Sequence, residues 1–204
     1  MLLQKIKKYV KKVIKYVAYH KLRVQTPSII SNNCAAAFLY KEIGCKYLSP
    51  TINLQISPSD FIKFPKNLSH YLSIAPKKID FPDPSPFIAL GGGSNIDSPV
   101  GALDDLTIYF QHYTNFKTAA EKWEQRKTRI NSNRLFFILI DTFCKKETVK
   151  DFFTIPYKNK LFITGNKDLL INENCIFIDT SKKPWFEVDW LEKINLKKWF
   201  LGGS

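Results

Sequence analysis

Cys34 follows the run Ile29-Ile30-Ser31-Asn32-Asn33 and precedes a helix-like stretch at 35–43. At such a junction, unpaired backbone N–H groups and the helix dipole favour a thiolate, the form of cysteine that acts as a nucleophile. His112 ends a second apolar run at 106–110, and Asp141 closes a third at 135–140. If the strands before Cys34 and His112 are parallel neighbours, thiol and imidazole share one rim, and His112 can take the thiol proton. Asp141, in the same kind of position on its own strand, is expected to orient the imidazole. Asn32 and Asn33, beside the thiol, are the amides expected to hold substrate. Trp123, Arg126 and Arg129 recur at intervals of three along one slowly winding helix face. Arginine's planar fork suits diphosphates and carboxylates, and tryptophan stacks on a sugar ring or base, so this face is expected to bind a phosphate-bearing donor. Each feature also has a structural reading: a small buried cysteine, a histidine bound at a strand end, or a solvated basic face around a half-buried tryptophan. His20 and His70 read as structural, and Trp185, Trp190 and Trp199 as packing of the C-terminal helices.

These groups need a scaffold of strand ends and helix starts, and the chain alternates the two. Strands are expected at 28–31, 51–56, 87–90, 106–110, 135–141, 160–164 and 175–178. Helices are expected at 35–43, 58–73, 116–130, 146–153 and 184–201, the last broken near Ile194-Asn195. Ser57-Pro58-Ser59-Asp60 is a helix start, with a serine cap, proline in the first turn and an acid near the positive dipole end. The alternation predicts an α/β fold: a single three-layer domain with a mostly parallel or mixed sheet. Residues 75–101 are rich in Pro and Gly and read as a flexible loop. Gly91-Gly92-Gly93 lacks the spacing of a phosphate-binding loop.

A chain of 204 residues with 45% hydrophobic content can bury one substantial core. Its formal charge of +13 is concentrated at one end: residues 1–23 carry +8 and no acid, leaving +5 for residues 24–204. The domain organisation expected is therefore a basic N-terminal helix at 1–23 and one α/β domain at 24–204. Leu2, Leu3, Ile6, Val10, Val13, Ile14 and Val17 form an apolar stripe with lysines between them, the pattern of a basic amphipathic helix. Lys7, Lys8, Lys11, Lys12 and Lys15 are the residues expected to meet an anionic membrane surface, each adding on the order of 1 kcal/mol near the headgroups. The same stripe could equally dock on the domain. No nucleic-acid motif accompanies the charge, so nucleic acid is not an expected partner. Cys34, Cys45, Cys144 and Cys175 lack paired spacing and the chain has three histidines, which argues against a metal site. Nothing in the pattern assigns a cofactor. The thiols suit a reducing cytoplasm, no run is long enough to span a bilayer, and the lysines interrupt any secretory signal. A cytoplasmic protein, peripheral on the inner face of the cell membrane, is expected.

The string I-I-S-N-N-C at 29–34, then Tyr47-Leu48-Ser49-Pro50-Thr51-Ile52-Asn53-Leu54, Pro99-Val100-Gly101, His112-Tyr113 and W-x-x-R-x-x-R-I-N at 123–131 resembles a bacterial family catalogued as domain of unknown function 1919. The likeness covers about residues 27–190. Three alanines follow Cys34 where an aromatic or glycines would match the family pattern. The order of Cys, His and a later Asp is also similar to a papain-like group of bacterial proteins. Members of the first family are often labelled exopolysaccharide biosynthesis proteins, which implies a sugar or glycan substrate. The resulting expectation is a transferase of capsule or exopolysaccharide synthesis that moves an acyl group to a sugar at a Cys34–His112–Asp141 centre. A glycosyltransferase with a nucleotide-sugar donor, or a non-catalytic membrane-peripheral binding subunit, are the alternatives.

Overall fold

The structure, a computed structural model, describes residues 19–80 and 98–201, together with Val10 and Val17. The lysines at 7, 8, 11, 12 and 15, the expected strand at 87–90 and the triple glycine at 91–93 lie outside these residues. The α/β expectation holds. A short helix, α1 (His20–Val24), leads into β1 (Ser28–Ser31) and α2 (Ala35–Ile43). Then come β2 (Gln55–Ile56), α3 (Pro58–Lys66), α4 (Leu68–Ser73), β3 (Lys77–Lys78), β4 (Val100–Leu103) and β5 (Leu106–Tyr109). The second half runs through α5 (Phe116–Lys127), β6 (Leu135–Ile140), α6 (Lys146–Thr154), β7 (Lys160–Thr164) and β8 (Cys175–Phe177) to α7 (Leu196–Leu201).

The strands divide between two sheets. β1, β6, β7 and β8 form a parallel sheet in the order β1-β6-β7-β8, while β2, β5, β4 and β3 form an antiparallel one. β6 is apolar throughout because both its faces are covered. Phe136, Ile138 and Ile140 pack with α2 and the C-terminal elements, whereas Leu135, Phe137 and Leu139 pack with α3 to α6 and the second sheet. Two departures from the sequence reading have local causes. The helix expected at 58–73 breaks at Asn67, whose backbone leaves the helical region (φ −134°, ψ 46°), just after Pro65 has removed one helical donor. The segment read as a loop contains β3 and the start of β4, and β4 pairs with β5 across a two-residue turn at Asp104-Asp105. Asp104 takes a positive φ of 56° there, a position usually marked in sequence by glycine or asparagine, so the hairpin carries no obvious signal. Gly101 in β4 is required by crowding: a Cβ would stand 2.9 Å from the Phe116 ring. At the C-terminus, Trp185–Glu187 and Trp190–Lys193 are single 3-10 turns rather than α-helix, and the expected break falls where Ile194 is extended.

Candidate functional site

Because the four strands of the first sheet are parallel, residues following Ser31, Ile140, Thr164 and Phe177 all emerge along one edge. Helices α2 and α6, which follow the neighbouring strands β1 and β6, leave to opposite faces of the sheet, and the diverging connections open a crevice where α/β proteins bind ligands. Asn32 closes the base of this crevice. Its side chain donates to Ile140 O (3.1 Å) and accepts from Ile140 N (2.8 Å), extending the strand pairing by one side chain. Its carbonyl accepts the Ile56 N–H at 2.8 Å, which ties the second sheet to the first. Asn32 is fully buried and structural rather than exposed to a substrate.

On one side of the crevice, Cys34, Ala37, Phe38, Lys41, Asn53 and His112 line a narrow cavity of about 360 Å³. Thiol and imidazole do share a cavity, by a route different from the expected one. The strand before His112 is β5, an antiparallel strand of the second sheet, and β2 carries it to the end of β1. The thiol is not activated in the way the sequence suggested. Asn33 Oδ1 accepts the Ala35 N–H (3.0 Å) and Ser31 Oγ accepts the Ala36 N–H (3.0 Å), so these first-turn donors are taken by side chains of the same loop. Burial pushes the Cys34 thiol up to about 11, with Lys41 pulling it only partly back. Cys34 Sγ instead lies 4.0 Å from Gln111 Oε1, and the Gln111 amide donates to Gln55 Oε1. Asn33 Nδ2 is buried without a partner among the described residues.

Asp141 does not join this cavity. Its Oδ1 accepts the Cys144 N–H at 2.8 Å, its Oδ2 accepts the Thr164 hydroxyl, and it lines a different cavity. The face expected to hold a donor is also used internally. Trp123 is buried in the core, edge-on to Phe64. Arg126 is buried and donates to Ile52 O (3.1 Å) and the Tyr113 hydroxyl (2.6 Å), with its guanidinium 5.7 Å from the Tyr47 ring centre. Spacing by three put these residues on one face, but that face points inward. Arg129 lies half-buried beyond the end of α5 and lines neither cavity.

The second cavity, about 630 Å³, lies over the ends of β6, β7 and β8. Asp141, Asn166 and Thr180 give it polar groups, and Phe143, Trp185 and Phe186 give it aromatic walls. Phe143 has a φ of 63° and is 83% exposed. That conformation costs a bulky residue on the order of 1–2 kcal/mol, and no burial of the ring offsets it. Burial pushes the Cys144 thiol in this wall up to about 12. The Phe38 and Trp185 rings meet edge-on at 5.9 Å, so one aromatic pair separates the two cavities. Sequence reasoning assigned Asp141 to the Cys34 centre rather than to this cavity and read Trp185 as packing, a role it does have against Phe38 and Trp190. Phe143 and Phe186 were not singled out, because an exposed phenylalanine and a packed one look alike in a sequence. It also missed Lys41 and Asn53. Asn53 has a positive φ of 63°, a mild signal that only the backbone reveals.

The family model described as Domain of unknown function (DUF1919) matches residues 5–191. The chain belongs to this family. An uncharacterized protein of Haemophilus influenzae is similar to it, 32% identical over 166 residues that make up 79% of this chain and 74% of the relative. Neither description names a reaction, so for this DUF1919 protein the chemistry must come from the residues themselves. Among the described residues no helix is long and apolar enough to cross a membrane, and no cluster of three metal-ligating side chains occurs.

Proposed function

We propose that this protein transfers an acyl group to a sugar in cell-surface polysaccharide biosynthesis, with Cys34 as nucleophile and His112 as general base. The observation that carries this reading is the single cavity lined by a thiol and an imidazole brought from two different sheets. A thiol held protonated needs a base, and this sets the order of events. His112 takes the Sγ proton as Sγ attacks the donor carbonyl carbon. The donor's leaving group departs with that proton, leaving a thioester on Cys34. A sugar hydroxyl then attacks the thioester carbonyl and passes its proton to His112; the C–S bond breaks, the sugar ester leaves and the thiol is restored. Lys41 offers a cation to phosphate groups on an activated donor, and Asn53 an amide to the imidazole or the substrate. The polysaccharide assignment rests on the family resemblance of the motifs. Glycosyl transfer from a nucleotide sugar loses support, because Trp123 and Arg126 are committed to the fold.

Peripheral attachment to an anionic membrane has its own support. Val10 and Val17, one heptad apart on the amphipathic stripe, are both exposed, so at these positions the fold does not cover the apolar side. Removal of residues 1–23 should release the protein from anionic vesicles in a sedimentation assay. The reaction is tested with p-nitrophenyl acetate as acyl donor and peptide mass spectrometry of the quenched protein. An acetyl adduct on Cys34 that forms more slowly in His112→Ala supports the mechanism. Acetylation that avoids Cys34 in the wild type overturns it and leaves the non-catalytic binding role.

A further inference from the structure

We propose that the wider cavity over the ends of β6, β7 and β8 is a binding site for a neutral, unphosphorylated pyranose ring. Trp185 packs on the core behind it, but two aromatics of the rim are left in water. Phe143 is 83% exposed at a backbone angle that disfavours side chains, and Phe186 is 49% exposed. Hydrophobic rings held in water around a concave wall are a surface for an apolar face to cover. Trp185 is held upright from behind, edge-on to Phe38 at 5.9 Å and tilted against Trp190 at 6.4 Å, while Phe186 stands at 89° to it. A sugar ring has one face of C–H bonds that suits such rings and an edge of hydroxyls that needs hydrogen-bond partners.

The polar groups match that edge. Asp141 accepts from the Cys144 N–H on Oδ1 and from the Thr164 hydroxyl on Oδ2, with the Cys144 thiol also against it; these contacts fix its orientation and leave the carboxylate further acceptor capacity. Asn166 and Thr180 line the same wall, and Thr142 brings a hydroxyl without a partner among the described residues. At Gly165 the backbone comes so close to Thr180 that a Cβ would collide with its hydroxyl, so the glycine lets Thr180 take its place on the wall. Equally informative is what the lining omits: it contains one carboxyl and no lysine, arginine or histidine. Lys167 and Lys182 lie outside the lining, near Asp179, so no cation stands on the wall itself to select a phosphate, whereas a neutral ring needs none.

This inference rests on the proposed reaction in one respect, that the sugar bound here is its acceptor, because the Phe38–Trp185 pair is the wall shared with the Cys34 cavity. The binding itself is independent of Cys34. It is tested by saturation-transfer NMR on the full chain with glucose, galactose, mannose, N-acetylglucosamine and N-acetylgalactosamine at millimolar concentration, with glucose 6-phosphate and uridine diphosphate as anionic probes. The expected result is transfer to the ring protons of at least one neutral sugar, reduced severalfold by Asp141→Asn and abolished by Phe143→Ala. Because Trp185 is partly packed and Phe143 is not, Phe143→Ala is the variant that tests the site without disturbing the fold. No transfer to any neutral sugar, transfer undiminished in Phe143→Ala, or a response confined to the anionic probes overturns the proposal. Since the readout is binding alone, failure of acyl transfer at Cys34 leaves this result standing, and failure here leaves the acetylation test untouched.

Discussion

The two cavities on the carboxyl edge are built on opposite plans. Around Cys34 the loop bonds largely to itself: Ser31 and Asn33 take the Ala36 and Ala35 N–H groups, Asn32 is welded to β6, and burial keeps the thiol protonated. Around Asp141 the loop ends in an exposed ring at a disfavoured backbone angle and leaves aromatic surface in water. The first region is a piece of fold bonded largely to itself, apart from the Asn33 amide nitrogen, which has no partner among the described residues, and it carries two reactive groups. The second carries the marks of a surface waiting for a ligand, in strain and exposure that folding alone does not explain. Reactive residue types and ligand-binding surface are thus separated by one aromatic pair, and a position next to a helix start does not by itself activate a cysteine.

The largest expected effect is on what joins the regions. Asn32→Ala strips partners from the buried Ile140 N–H and carbonyl and should cost about 3 kcal/mol in urea denaturation, loosening both cavities together. Arg126→Ala should act on the narrow side alone, through Ile52 and Tyr113, at a cost of about 2 kcal/mol, and leave sugar binding in the wide cavity intact. The protonated thiol has a pH signature. Its value in the fold lies above the ordinary 9.0, so its contribution is present below pH 9 and is lost as pH rises through about 11. Cys34→Ala should therefore flatten the decline of unfolding free energy between pH 9 and 11 by an amount on the order of 2 kcal/mol, which chemical denaturation at stepped pH reads directly. The smallest effect has the opposite sign. Phe143→Gly removes the strained φ and should raise stability by about 1 kcal/mol by thermal melting, a gain that marks the wild-type ring as kept for something other than folding. A loss of stability in that variant would erase the contrast between the two regions.

Much of the scaffold was legible in the chain. β1, β7 and α2 fall at the residues expected from apolar runs and helical spacing, and Ser57 caps α3 by accepting the Asp60 N–H as its serine-proline signature implied. Strand ends in the sequence pointed to Cys34, His112 and Asp141 as residues of one edge, whereas His112 follows β5 of the second sheet. The β4–β5 hairpin was not legible because its turn is Asp-Asp, and the donor face was misread because spacing gives a helix side without saying whether it faces core or solvent.

By itself, the sequence determined the alternation of strands and helices, the concentration of charge at residues 1–23 and the presence of a thiol, an imidazole and a carboxyl at strand ends. Those are properties of local pattern, which backbone periodicity and composition express directly. Only the tertiary structure decided which of them meet. The second sheet brought His112 to Cys34, the crevice between β1 and β6 sent Asp141 to a different cavity, and burial set the thiol's protonation. Each outcome depends on long-range packing and solvent exclusion, which no run of neighbouring residues encodes.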